Sequence, residues 1–242
     1  MCPPKDDLLA AMQDSELSLQ EGDCLAISSK VVSVWEGQCV KVDPSNPAQR
    51  DELAKAQAAQ WLPREEVPER HALWTRTQGN LISGAGIDAS NAHEHLIVWP
   101  QDPHASAERV RAWCSEHYNV KQLAVIVTDS HSIPLRRGAV GFALGWAGFD
   151  PLVDHRGATD LFGRAFISEH TNLADSMAAT AVLAMGETNE STPIAVLRDV
   201  PYLGGQLSKT PSHTPPYTVT PEEDIFAPFW RGVAWRRGSG GS

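Results

Sequence analysis

Three carboxylates stand where apolar segments end: Asp88 in GAGIDASN (residues 84–91), Asp129 in LAVIVTDS (residues 123–130) and Glu187 in MGE (residues 185–187). Carboxylates released at the ends of buried elements repel one another where they converge, and a divalent cation with oxygen ligands relieves that repulsion. Magnesium or manganese is the chemistry this pattern predicts. Each carboxylate taken alone has a competing reading as a cap or turn residue. Gly84 and Gly86 permit close backbone approach, so their loop could carry Asp88, Ser90 and Asn91 up to a ligand; the same composition also suits an ordinary polar turn.

Beside Asp129, the stretch SHSIPLRRG (residues 130–138) adds the hydroxyls of Ser130 and Ser132, the imidazole of His131 and the adjacent guanidiniums of Arg136 and Arg137. Paired guanidiniums suit bidentate recognition of a phosphate or carboxylate, and the alternative is an exposed basic turn in an acidic protein. His131 could be a base, a ligand or a packed residue. DHRGATDLFGR (residues 154–164) sets Asp154, Arg156, Asp160 and Arg164 around two glycines. It reads either as a salt-bridged turn, the choice we favour for Asp154, or as a grip on a polar substrate through Asp160 and the arginines. Walker-type, dinucleotide-binding, zincin and nucleophile-elbow signatures do not occur, so those chemistries are not indicated.

The elements that must position these residues can be read from periodicity. Leu8, Leu9, Met12 and Leu17 fall at helical spacing over residues 6–19. LAISSKVVSVWEG reads as a buried strand that breaks into a polar loop at Ser28, Ser29 and Lys30. An Ala-, Gln- and Glu-rich helix is expected over 49–61, closed by Pro63, and LWTRTQGNLISGAG alternates like paired strands around Gln78-Gly79-Asn80. A short strand lies in 93–103, and an amphipathic helix over 105–118 places Val110 and Trp113 on one side. LAVIVTD is the most apolar strand and ends at Thr128-Asp129-Ser130; AVGFALGWAGF (residues 139–149) has the small, apolar character of strands in close packing. A helix over 172–185 and a buried strand in IAVLRDV close the regular part. The tail from Pro201 is an extended arm, packed through Phe226, Phe229, Trp230 and Trp235.

The 242 residues are 42% hydrophobic, enough for a sizeable core in one large or two small domains. A net charge of -10 argues against a generic nucleic-acid binder, so any phosphate contact must be local. Cys2, Cys24, Cys39 and Cys114 form no CxxC pair, which fits reduced thiols in the cytoplasm. Neither a signal peptide nor a membrane-length apolar run is expected from the sequence. GSGGS (residues 238–242) reads as an appended linker.

Taken in order, SSKVVS-x-x-EG, AGIDASN, PQDPHASA, TDS followed by RRG-x-VG, DLFGR and MGE resemble the coenzyme F420-0:gamma-glutamyl ligase family, from about Asp6 to Val200. The resemblance implies that family's fold, an α/β class with mixed α+β sheets and packed helices. It implies one catalytic domain over 1–200, divisible into two subdomains, an arm over 201–237 and a homodimer of interlocking subunits. It further implies ATP- or GTP-dependent amide formation with L-glutamate, through an acyl phosphate and two cations. Carried over residue by residue, Asp88 and Asp129 are ligands of the first cation, and Ser130 and Glu187 serve the second. Ser29, Lys30 and Asn91 contact nucleotide, as does the segment beginning at Gly186 and Thr188, while Arg136 and Arg137 bind the acceptor or stabilise charge.

The chain also departs from the family pattern. Val34 stands where a lysine is expected near the nucleotide, the usual N-terminal Leu-Pro strand is missing, and TNEST follows MGE in place of glycines. TDSHSIPLRRG replaces the usual TDTxGRPxRRG, in the wall expected to face the acceptor. TDSHS and the aromatic residue before EG resemble the folate-metabolism gamma-glutamate ligase branch, so a folate-type acceptor stands beside the deazaflavin type. Two other readings are a catalytically inactive homologue that binds nucleotide or pterin, and a metal-dependent phosphohydrolase.

Overall fold

The structure is a computed structural model, and it describes residues 1–43, 45–68, 72–207 and 217–240. In chain order the elements are α1 (Leu8–Gln13), β1 (Cys24–Ser28), α2 (Ser29–Glu36), β2 (Cys39–Lys41), α3 (Gln49–Gln57), β3 (Gln60–Trp61), β4 (Trp74–Thr77), β5 (Asn80–Ser83) and β6 (His95–Ile97). They continue with α4 (Pro103–His117), β7 (Ala124–Ser132), β8 (Ala139–Ala147), β9 (Leu152–Asp154), β10 (His170–Asn172), α5 (Leu173–Met185), β11 (Ile194–Leu197), α6 (Ala227–Trp230) and β12 (Arg236–Arg237). Mixed sheets with packed helices are the expected class. The chain divides into two compact units, one of residues 1–6, 33–101 and 218–242, the other of residues 7–32 and 102–217. Among the described residues no helix is long and apolar enough to cross a membrane.

The second unit is built on a sheet of order β11-β1-β7-β8, with β1 and β7 parallel and the outer pairs antiparallel. Cys24 through Ile27 and Ala124 through Val127 are buried on both faces, as the unbroken apolar runs require. On β8 the register slips by one residue between Val127↔Gly145 and Thr128↔Ala143, leaving Leu144 as a bulge that puts Gly145 and Gly141 on opposite faces. The helices use both openings. A β-carbon at Gly145 would stand 2.5 Å from the Pro103 backbone of α4, and one at Gly141 would stand 2.6 Å from Val182 of α5. Local chemistry starts each helix: the side chains of Asp7, Asp102 and Asn172 accept from first-turn N–H groups of α1, α4 and α5.

The first unit has a sheet of order β12-β3-β4-β5, a separate β2–β6 pair and a core of Ala54, Leu73, Ala85, Ile87, Leu96 and Val98. The β4–β5 hairpin turns on Gln78-Gly79, with φ of 47° and 74°, as the Gln-Gly-Asn signal predicts. The chain end belongs to this unit. β12 pairs with β3, then Gly238, Ser239 and Gly240 donate their N–H groups to Ala59, Lys55 and Ala58 carbonyls at 3.0, 3.1 and 2.9 Å. A β-carbon at Gly238 would lie 2.0 Å from the Ala58 oxygen. The Gly-Ser stretch read as an appended linker therefore caps the end of α3.

Several expectations need correction. Ser29 and Lys30 do not open a loop: they begin α2, and SKVVSVWE is helical because Val31, Val32 and Val34 bury a face. β-Branched residues look like a strand locally, and tertiary burial overrides that preference. The helix expected to reach residue 61 stops at Gln57, and Gln60–Trp61 joins the sheet. β7 runs past Asp129 to Ser132, sustained by β8 pairing. β11 is only half-buried, because it is an edge strand. In the arm, Phe229 is 70% exposed, and Trp230 instead donates its indole N–H to Asp224 at 3.1 Å. The Pro-Ser-Thr run at 208–216 lies outside the described residues.

Candidate active site

The parallel strands β1 and β7 end side by side, with Ser28 paired to Thr128. Carboxyl ends of parallel strands are where α/β sheets present their ligand-handling residues. β1 passes directly into α2, so Ser29, which is buried, and Lys30 occupy a helix first turn whose N–H groups point toward that end. Asp129 and Ser130 follow Thr128 on β7. The Ser28 N–H donates to Pro193 at 2.9 Å, which ties the segment after α5 to the same sheet edge.

Ser130 pairs with Gly141, whose missing side chain admits α5, and the end of α5 leads into Glu187. The Ser130 hydroxyl donates to Glu187 Oε2 at 3.1 Å, and the Ser130 N–H donates to Asp129 Oδ1 at 2.7 Å. Ser29, Lys30, Asp129, Ser130, Glu187 and Thr188 therefore come from three separate segments to one edge of one sheet. Gly186 ends α5 with φ 83°, its N–H donating to Val182 at 2.9 Å, and this turn releases Glu187 and Thr188 from the helix.

His131 lies half-buried against Phe142, ring centroids 4.7 Å apart. Burial pushes its imidazole below the usual value, against the pull of Asp175. Arg136 and Arg137 sit exposed in the link between β7 and β8, where the Arg136 guanidinium donates to the neighbouring Leu135 carbonyl at 3.1 Å. Asp154 pairs with Arg156 at 2.7 Å, the structural role favoured for it. Asp160 accepts the N–H groups of Phe162 and Arg164 at 2.8 and 2.9 Å, which makes it the brace of a tight turn.

Asp88 belongs to the first unit. Its backbone bridges Ile97 through hydrogen bonds of 3.0 and 2.8 Å, and its Oδ1 accepts the Ser90 N–H at 2.6 Å. Asn91 is exposed with φ 52°. The glycine loop before Asp88 is not merely a turn. Gly86 lies so close to Trp99 that a β-carbon would stand 2.0 Å from the indole; the buried Thr75 hydroxyl accepts the Ala85 N–H at 2.9 Å; and Arg50 donates to the Ile87 carbonyl at 2.7 Å. Sequence reasoning missed Thr75, Trp99 and Arg50, because no local signal marks a contact made from another element. Among the described residues no three His, Cys, Asp or Glu side chains form a ready metal cluster. The donors on the second unit's sheet edge are nevertheless oxygen, carboxylate and hydroxyl, the set that suits magnesium or manganese.

Hydroxyls and carboxylates at the end of a parallel strand pair, next to a helix N-terminus, define an α/β protein with a sheet edge rich in oxygen donors. The particular family follows from comparison with known proteins: residues 4–199 match the family model for F420-0:Gamma-glutamyl ligase, and the chain belongs to that family of amide-forming ligases. It is 34% identical over 236 residues to a coenzyme F420:L-glutamate ligase of Methanopyrus kandleri, covering 92% of each chain. It is 34% identical over 209 residues to that of Archaeoglobus fulgidus, covering 82% of this chain and 84% of the relative. It is 31% identical over 207 residues to that of Methanothermobacter thermautotrophicus, covering 81% and 82%. Val34, where the family pattern suggests a lysine, is 2% exposed and packs with Ala92 and Ile97, so an apolar side chain suits the position.

Proposed function

We propose that the protein is a nucleotide- and divalent-metal-dependent γ-glutamyl ligase, joining L-glutamate by an amide bond to a carboxylate of a deazaflavin- or folate-type acceptor. The observation that carries the reading is the convergence of Ser29, Lys30, Asp129, Ser130, Glu187 and Thr188 on one sheet edge, beneath the start of α2. By family resemblance Asp88, Asp129, Ser130 and Glu187 would be ligands of magnesium or manganese. Such ions, when bound, neutralise phosphate charge.

The acceptor carboxylate attacks the γ-phosphorus of ATP or GTP, which forms an acyl phosphate and releases the nucleoside diphosphate. The amino group of L-glutamate then attacks the acyl carbon; the amide bond forms, phosphate leaves and the amine gives up a proton. In this scheme the first turn of α2 and Thr188 bind phosphate oxygens, and Gly186 gives the loop room beside them. Arg136 and Arg137, exposed in the link between β7 and β8, bind the anionic acceptor. The relatives' names favour the deazaflavin acceptor, whereas TDSHSIPLRRG favours the folate type. The family resemblance also supports a homodimer, and the scattered cysteines support action in the cytoplasm.

Mass spectrometry of the protein with L-glutamate, magnesium or manganese, and ATP or GTP, offered with either a reduced folate or the glutamate-free deazaflavin, tests the reading. A product heavier by one glutamyl unit is expected with one acceptor. Nucleotide binding without product in any mixture would instead establish an inactive binding homologue, and phosphate release without glutamate a phosphohydrolase.

A further inference from the structure

The loop after α5 holds an anion of its own. The Glu190 side chain folds back so that Oε2 accepts the Thr188 N–H at 2.8 Å and Oε1 accepts the Thr188 hydroxyl at 3.0 Å. The carboxylate also lies over Gly186, where a β-carbon would stand 2.3 Å from its carboxyl carbon, so only glycine leaves this place open. Backbone N–H groups of Thr188, Asn189 and Glu190 hold the Glu190 carboxyl below its usual pKa, as donors gathered round a negative charge do. Successive N–H groups with a hydroxyl, over a glycine, are equally suited to phosphate oxygens. The Ser130–Glu187 hydrogen bond and the tie from Ser28 to Pro193 place this loop on the candidate sheet edge.

We propose that Glu190 is an intramolecular competitor at the 186–190 loop, which the ligase reading already gives to nucleotide phosphate: its carboxylate must swing out before a phosphate can enter. The proposal deepens the ligase reading and rests on it for the identity of the natural ligand. The competitor belongs to TNEST, residues 188–192, which follows directly on Glu187. Because the carboxylate fills the subsite in the resting protein, apparent affinity is reduced by the fraction of molecules in which it is out.

Equilibrium binding of magnesium pyrophosphate and of magnesium GTP and ATP to the full chain, to Glu190→Ala and to Glu190→Gln tests this. If the subsite is filled about nine-tenths of the time, Glu190→Ala should bind pyrophosphate roughly tenfold more tightly. Glu190→Gln, which keeps the shape and loses the charge, should fall between, and adding Thr188→Val to Glu190→Ala should remove most of the gain. Equal or weaker pyrophosphate binding by both Glu190 variants, with melting temperatures like that of the parent, would overturn the proposal. Failure of every protein to bind GTP or ATP would count against the ligase reading, while the pyrophosphate ratio would still decide the subsite.

Discussion

Asp129 and Ser130 are neighbours on one strand, yet they meet the site differently. Asp129 Oδ1 holds the Ser130 N–H, while the Ser130 hydroxyl reaches across to Glu187. Asp129→Asn keeps the size and the acceptor oxygen but loses the charge a cation needs. Its expected effect is a fall in kcat of roughly 10³-fold or more, with several kcal/mol of charge stabilisation gone and the melting temperature nearly unchanged. Steady-state kinetics beside a thermal melt would check it; a variant with full activity and unaltered metal dependence would overturn the proposed metal role of Asp129. Asp160 was a candidate for substrate orientation in the sequence, and its two backbone acceptor bonds show why residue type alone could not decide. A carboxylate bracing a turn and one gripping a substrate have the same local signature.

Among the elements, β8 decides how the sheet edge is assembled, because its glycines let α4 and α5 reach the sheet. Gly145→Ala would drive a β-carbon into the Pro103 backbone, which cannot swing aside as a side-chain end can. A loss of about 2 kcal/mol is expected from this overpacking, read as a lower midpoint in urea with the slope unchanged. The β1–β11 edge depends on a charge pair at the other end of the strands. Asp23 is 1% exposed and Arg198 binds it through two hydrogen bonds of 2.8 Å. Burial pushes the Asp23 carboxyl up, but Arg198 and the Gln20 N–H together outweigh it and hold it below its usual value. Its stabilisation is therefore fully present above the unfolded value near pH 4 and is lost as pH falls through the lower folded value. Arg198→Ala should lower the urea midpoint at neutral pH, because it leaves the buried Asp23 carboxylate without its guanidinium partner. The gap between parent and variant in urea melts should narrow below pH 4.

At the scale of the whole molecule, four cysteines report on three environments. Cys2 is exposed, Cys39 is half-buried, and Cys24 and Cys114 are buried. Burial pushes the Cys114 thiol up to about 12 and the Cys24 thiol higher still, with Asp23 adding to the latter. Iodoacetamide at pH 8 should label Cys2 first and Cys39 more slowly, with Cys24 and Cys114 labelled only in denaturant. Mass spectrometry of the native protein checks the order, and early labelling of Cys24 would mean that the β1 core opens. The two-unit division follows the same whole-chain logic: residues 33–101 and 218–240 are far apart in sequence, yet β12 pairs with β3. No window of composition reveals a partner about 175 residues away, and for that reason the docking of Gly238–Gly240 on α3 was invisible in a stretch that looks like a linker.

The sequence by itself determined the family, the apolar strands β1 and β7, the hairpin at Gln78-Gly79, the helix over 172–185 and the polar residues that follow each apolar run. These are local quantities: hydrophobic period, turn chemistry, and motifs in order. Tertiary structure alone decided that Ser29 starts a helix, that β7 continues past Asp129, that Ser130 meets Glu187 and that Glu190 lies over Gly186. Each of these depends on which backbone runs alongside and on how much space a missing side chain leaves. Pairing and packing of distant segments set both, and no short stretch of sequence encodes either.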